Sequence, residues 1–174
     1  VAPDQLAEAW ENRPLPIGEG QTISQPLVVA RMCALLELRP GVRVLDVGTG
    51  SGYHAALLAH LVAPGGRVIS VERHGSLARA AAARLASLGV DGVEVRLGDG
   101  ALGAPDEAPF DAVNVAAAGR EVPGELVAQL APGGRLVAPV GEGEDQRLVL
   151  VRRSADGRHV ERRALEPVRF VPLV

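Results

Sequence analysis

Val44-Leu45-Asp46-Val47-Gly48-Thr49-Gly50-Ser51-Gly52-Tyr53 decides the fold. A short apolar run leads into an acid, and glycines then occupy every second position. The run reads as a buried strand ending near Asp46, then a tight turn that opens a helix at about Gly52. Glycine reaches positive φ freely and lets a ligand approach the backbone. Open α/β sheets bind ligands in the crevice beyond the carboxyl ends of their strands. The spacing departs from the dinucleotide fingerprint, whose third glycine would fall at position 53, where Tyr53 stands. Taken alone, such a loop is also compatible with a strand-to-helix turn that holds no ligand.

The next two strand tips extend the pattern. Arg67-Val68-Ile69-Ser70-Val71 is a β-branched run ending at Glu72, twenty residues after Gly52. An acid at that distance can accept hydrogen bonds from both ribose hydroxyls of a nucleoside. Val93-Glu94-Val95-Arg96-Leu97 alternates like a strand and ends in Gly98-Asp99-Gly100, where a carboxylate could take the exocyclic amine of adenine. Asp followed by G-x-G-x-G resembles the opening of S-adenosylmethionine (SAM) methyltransferases.

Composition narrows the classes. A chain of 174 residues is one domain by length. With 47% hydrophobic and 2% aromatic residues, it builds its core from Val, Leu and Ala. The net charge is −3, all basic residues besides histidine are arginine, and they are scattered; this is not the basic footprint of a nucleic-acid binder. Cys33, the single cysteine, lies in an apolar helical run and reads as a small buried hydrophobe. The four histidines show no metal-ligand spacing, so no metal is expected. With no membrane-spanning stretch or signal peptide in view, a cytoplasmic monomer is expected.

Along the chain, Asp4 to Trp10 reads as a short helix and Asn12 to Pro26 as a loop punctuated by Pro and Gly. Leu27 to Leu38 is an apolar helix, with Ser24 or Gln25 at its cap and Pro26 in its first turn. Strands are expected at 42–46, 67–71, 93–97, 110–115 and 135–140, with helices over 52–62, 76–88 and 123–130 between them. After residue 140 the pattern changes: Arg147–Arg153 and His159–Ala164 alternate about Asp156-Gly157, a hairpin signal. Val168–Val174 reads as a strand or extended segment. The fold class is therefore α/β, a doubly wound, mostly parallel sheet with an antiparallel hairpin edge. It divides into an N-terminal segment (1–25), a core (42–140) and a β tail (146–174); the order of the edge strands is open.

Several segments together resemble one family. They are Pro14-Leu15-Pro16-Ile17-Gly18-Glu19-Gly20-Gln21-Thr22-Ile23-Ser24-Gln25-Pro26, the 44–53 loop, Gly98-Asp99-Gly100, Pro109-Phe110-Asp111, Leu130-Ala131-Pro132-Gly133-Gly134-Arg135-Leu136 and Pro167-Val168-Arg169-Phe170-Val171-Pro172-Leu173. These look like the protein L-isoaspartate O-methyltransferases, over nearly the whole chain. The first and last of these segments are far more specific than the glycine loop. The resemblance implies SAM as cofactor and methylation of the α-carboxylate of L-isoaspartyl residues in damaged proteins or peptides. The ester then collapses to a succinimide that reopens partly to aspartate. It implies Ser24 as the active-site residue, with Thr22, Ile23 and Gln25 on the acceptor side. It assigns Asp46, Gly48, Thr49, Gly50, Ser51, Gly52, Glu72, Asp99 and Gly100 to the cofactor.

Two departures stand out. Members usually carry a longer helical segment before the Pro-Leu-Pro-Ile-Gly stretch, which 13 residues precede here. Gly119-Arg120 replaces a stretch that often contains proline; Arg120 is either an acceptor partner or a solvated loop side chain. Three other readings are weighed: a homologue that methylates an aspartate of a dedicated client, a nucleic-acid base methyltransferase, and a SAM-binding module without turnover.

Overall fold

The computed structural model describes Val1 and residues 3–173. A 3-10 turn over Pro3–Glu8 precedes a hairpin of β1 (Leu15–Gly18) and β2 (Gln21–Ile23). Helix α1 (Pro26–Leu36) leads to β3 (Arg43–Val47), α2 (Tyr53–Val62), β4 (Arg67–Glu72), α3 (Gly75–Ser87) and β5 (Val93–Leu97). A short 3-10 turn at Pro105–Glu107 precedes β6 (Phe110–Val115), α4 (Gly124–Ala128), β7 (Leu130–Glu142), β8 (Asp145–Arg153) and β9 (Val160–Val168). The seven-stranded sheet runs β5-β4-β3-β6-β7-β8-β9. Strands β3 to β7 are parallel, while β8 and β9 return antiparallel. The chain winds outward from β3 to β5, then restarts at β6 on the other side, so the switch point lies between β3 and β6.

The central strands are apolar on both faces, as parallel strands covered on two sides must be. Val44, Val68, Ala112 and Val137 pack with α1 and α2 through Val29, Met32, Leu36, Leu58 and Val62. Leu45, Ile69, Val113 and Leu136 face the other layer with Phe110, Leu126 and Leu130. Burying these side chains supplies about 25 cal/mol per Å² of apolar surface removed from water.

Several expectations are corrected. The 12–26 loop contains the β1–β2 hairpin, whose turn places Gly18, Glu19 and Gly20 at positive φ. Its Gly-Glu-Gly turn was the available signal, but three prolines hid the pairing. The helix expected over 123–130 spans only Gly124–Ala128, and β7 begins at Leu130, with the Pro-Gly-Gly turn as an irregularity in its pairing with β6. For the C-terminal segment, expected as a strand or an extended stretch, β9 ends at Val168 and the residues beyond it are the extended stretch. Phe170 is held through its N–H and C=O by the Gln146 amide, and the Ala118 N–H and C=O pair with Val171 and Leu173. Val174 lies outside the described residues.

Candidate functional site

The geometry begins at the tip of β3. Gly48, Gly50 and Gly52 all adopt positive φ, at 90°, 52° and 83°, so a side chain at any of them would strain the turn. The Gly52 Cα lies against α3: a Cβ there would stand 3.4 Å from Ala81 and 3.5 Å from Leu85. Gly52 thus packs on α3, while a Cβ on Gly50 would stand 3.1 Å from Ile17 and one on Gly48 3.5 Å from Ala116.

Glu72 ends β4 and is 5% exposed. One carboxylate oxygen accepts the Gly50 N–H at 2.8 Å and the other the His74 N–H at 2.9 Å. Each oxygen keeps a lone pair for a further donor. The cavity around it is lined by Gly48, Gly50, Val71, Glu72, His74, Gly100, Ala116 and Ala117, and is closed by Ile17, Gln21 and Thr22 from the hairpin and Val171–Leu173 from the C-terminal segment. Glycine backbone beside a buried acid with two free lone pairs suits a nucleoside whose ribose carries adjacent hydroxyls; the residues present fit SAM.

Asp99 does not line this cavity. Its carboxylate accepts the Ala101 N–H at 2.9 Å and it is exposed, whereas the neighbouring Gly100 lines the cavity. A Cβ on Gly100 would stand 2.5 Å from Val47 Cγ1, so the close approach of these two strand tips requires glycine. The loop that follows is held by Gln129, whose side chain accepts the Ala104 N–H and donates to the Leu102 and Glu125 carbonyls.

Asp46 and Thr49 lie below the cavity rather than in its donor-facing wall. Asp46 is fully buried and accepts from the Ser70 hydroxyl at 2.7 Å and the Asn114 amide at 2.8 Å. The Thr49 hydroxyl meets that of Ser70 at 2.6 Å. The Ser51 carbonyl accepts from Arg84 at 2.6 Å, and its hydroxyl accepts the Tyr53 N–H at 3.3 Å.

A second cavity joins the acceptor-side residues to the glycine loop. Thr22, Ile23 and Ser24 face Gly48, Thr49, Gly50 and Ser51 across it, with Tyr53, His54 and Ala116 completing the wall. A shallower groove continues from Thr22, Ser24 and Gln25 toward Pro167–Val171. Ser24 does not cap α1: the N-cap is Gln25, which makes no side-chain cap bond. The hairpin is fixed by Leu15, which is 1% exposed, by Asn12 accepting the Leu27 N–H, and by Ser76 donating to Glu19 at 2.6 Å. Arg120 points elsewhere, paired with Glu142 at 2.5 Å and 85% exposed, which is the solvated-loop alternative.

Burial sets the electrostatics beneath the site. It lowers the His54 imidazole below its usual value, against an opposing pull from Asp46. It pushes the Cys33 thiol up to about 11, with Asp46 adding to the effect. Sequence reasoning missed Ile17, Gln21, His74, Ala116, Ala117 and Val171–Leu173 as lining residues; apolar and backbone groups carry no local chemical signature.

A doubly wound sheet with a glycine loop on its first central strand, a buried acid on the next and a cavity at the switch point defines a Rossmann-like, SAM-dependent methyltransferase. A family model described as Protein-L-isoaspartate(D-aspartate) O-methyltransferase matches residues 2–174, and the chain belongs to that family. A Protein-L-isoaspartate O-methyltransferase of Aeropyrum pernix is 54% identical over 175 residues, covering 100% of this chain and 67% of the relative. One from Anaeromyxobacter dehalogenans is 57% identical, covering 99% of this chain and 82% of the relative. A solved protein-L-isoaspartate O-methyltransferase superposes with a TM-score of 0.81 at 30% identity, over 91% of this chain and 50% of that one. A Plasmodium falciparum structure of that description, in complex with S-adenosyl-L-homocysteine, gives 0.76 at 29% identity, over 94% and 80%.

Proposed function

We propose that this chain methylates the α-carboxylate of L-isoaspartyl residues in damaged proteins and peptides, with SAM as donor, and so starts their return to aspartate. The observation that carries the reading is the cavity in which Thr22 and Ser24 face Gly48–Ser51. It sets an acceptor-side hydroxyl pair against the loop that fits the donor.

Bound SAM supplies a methyl group on a sulfonium, a leaving group that departs as a neutral thioether. The acceptor carboxylate is ionised near neutral pH, since carboxyl groups titrate near 4, and is already a nucleophile. No general base is needed, and the one imidazole in the lining, His54, has both ring nitrogens engaged by Asn114 and Cys33. The residues therefore act by placement. Glu72 and the Gly48–Gly50 backbone fix the donor side, and Ser24 and Thr22 hydroxyls can donate to the acceptor carboxylate. Holding two reactants in line contributes up to about 7–11 kcal/mol in favourable systems. Asp99 is assigned to the adenine end, as the neighbour in sequence of Gly100, which lines the cavity.

The groove runs from Ser24 toward Pro167–Val171, which suits an extended peptide. We take the working unit to be a monomer. The test is methyl transfer from labelled SAM to one short peptide in L-isoaspartyl and L-aspartyl forms. Transfer to the isoaspartyl form alone is expected. Transfer to neither, with SAM bound, would overturn the proposed acceptor.

A further inference from the structure

The polar groups beneath the glycine loop form one connected chain. Register places Ser70, Asp46 and Asn114 side by side across β4, β3 and β6. In a parallel sheet this sets their side chains in a row on one face. That face is packed by α1 and α2. The hydrogen bonds have a direction. Asp46, as a carboxylate, only accepts, so Ser70 donates to it and Thr49 donates to Ser70.

At the other end, the Asn114 amide nitrogen lies 2.8 Å from Asp46 Oδ1 and 3.1 Å from His54 Nδ1. An amide has two protons, and both are used. His54 Nδ1 is therefore the acceptor, and the imidazole proton sits on Nε2, which faces Cys33 Sγ at 3.4 Å. Burial, which disfavours the charged imidazolium, agrees with this neutral tautomer. The Asn114 carbonyl oxygen is buried and has no partner among the described residues. Turning the amide over would set that oxygen against the Asp46 carboxylate, so the orientation is fixed by the two acceptors at the expense of the carbonyl.

Position in sequence gives the chain its meaning. Asp46 precedes the Gly48–Gly52 loop, Thr49 lies within it, and His54 is in the first turn of α2 after it. We infer that Asn114 is a positioning residue for the glycine loop, its single amide tying the strand before the loop to the helix after it. The ordinary alternative is a core asparagine that satisfies neighbours without setting the loop. Aromatic, aliphatic or hydroxyl side chains at 114 could fill the space, but none offers two donors from one atom. The loop's conformation is then set from below, through Asn114 and Asp46, which line neither cavity, before any ligand arrives. This inference rests on the reading that the loop holds the methyl donor.

The test compares Asn114→Leu, His54→Leu and His54→Gln, using S-adenosyl-L-homocysteine as the probe. Two readouts are needed: amide exchange of Gly48–Gly52 in the ligand-free protein, and calorimetric affinity. Asn114→Leu and His54→Leu are expected to speed exchange in the loop and raise the dissociation constant, each by about tenfold. For Asn114→Leu, whose side chain lines neither cavity, the KM for acceptor peptide should not change. His54→Gln should return both readouts to near wild type, because a Gln carbonyl can accept the same N–H. A lower melting temperature with exchange and affinity at wild-type values would overturn the inference. If Asn114→Leu does not fold, the His54 pair decides alone, and equal behaviour of Leu and Gln overturns it. If the wild type fails to bind the probe, the donor-site reading falls, while the exchange data still judge the tie.

Discussion

The Gly50 N–H donates to Glu72 Oε2 at 2.8 Å, so the acid at the tip of β4 also holds the turn at the tip of β3. On the proposed reading, loop geometry and donor recognition share one carboxylate. Glu72→Gln keeps the shape but turns one acceptor into a donor facing backbone N–H groups. Hydrogen bonds to charged groups contribute about 1.5–3 kcal/mol. Affinity for S-adenosyl-L-homocysteine should fall by roughly 10- to 100-fold. Titration calorimetry showing a change below threefold would restrict Glu72 to a structural role.

Ser24 sits across the cavity from the loop and does not cap α1. Ser24→Ala should lower kcat roughly tenfold, the size of one orienting hydrogen bond. Product affinity should stay within about twofold, because the hydroxyl faces the acceptor. Steady-state kinetics on an isoaspartyl peptide beside calorimetry separates the two effects. An unchanged kcat would remove Ser24 from the site.

Gln129 satisfies three backbone groups around the loop that follows Asp99. Gln129→Leu leaves the buried Ala104 N–H without an acceptor, and should destabilise the fold by about 2 kcal/mol. Urea unfolding monitored by circular dichroism reads this as a lower midpoint at constant slope. Gly103→Ala should be as severe: φ is +65° there, and the new Cβ would lie 2.6 Å from Gln129 Oε1.

His54 makes stability depend on pH in a defined direction. Burial lowers its folded-state value below the ordinary histidine value, with Asp46 opposing. Below about pH 6.5 the unfolded chain therefore binds more protons, and stability rises with pH. The contribution is complete above that value and is lost as pH falls. Midpoints measured from about pH 7.5 down to 5 should drop more steeply for wild type than for His54→Gln. Parallel curves would show that the imidazole does not titrate in that window.

Cys33 has a thiol raised to about 11, by burial and then by the Asp46 charge. The thiolate is the reactive species. Alkylation by iodoacetamide at about pH 8 should be at least roughly 100-fold slower in native protein than in urea. Labelling at the unfolded rate would mean that α1 opens readily.

The first three parallel strands were legible in the sequence because each ends in chemistry. Val44–Gly52 and Arg67–Glu72 pair an apolar run with glycine or acid at the tip, and the structure places those tips together. The β1–β2 hairpin was not legible, since Pro14 and Pro16 argue against pairing and the strands are three or four residues long. Val171–Leu173 were quoted for their likeness to a family, yet nothing in Val-Pro-Leu says that it folds back to Ala118. The register that sets Asn114 beside Asp46 was equally out of reach. It is a distance between strands, and a buried Asn reads locally as any strand residue.

The donor cavity is closed by Ile17 and Gln21, which come before the sheet in sequence, and by Val171–Leu173, which come after it. Neither segment belongs to the seven-stranded sheet, so the sheet can be fully paired while the cavity is still unbounded on both sides. Nucleoside binding is therefore a proofreading signal for the whole molecule: a chain that has paired its sheet but not laid down its two flanking segments gains nothing from the ligand, and one that has laid them down is stabilised by it.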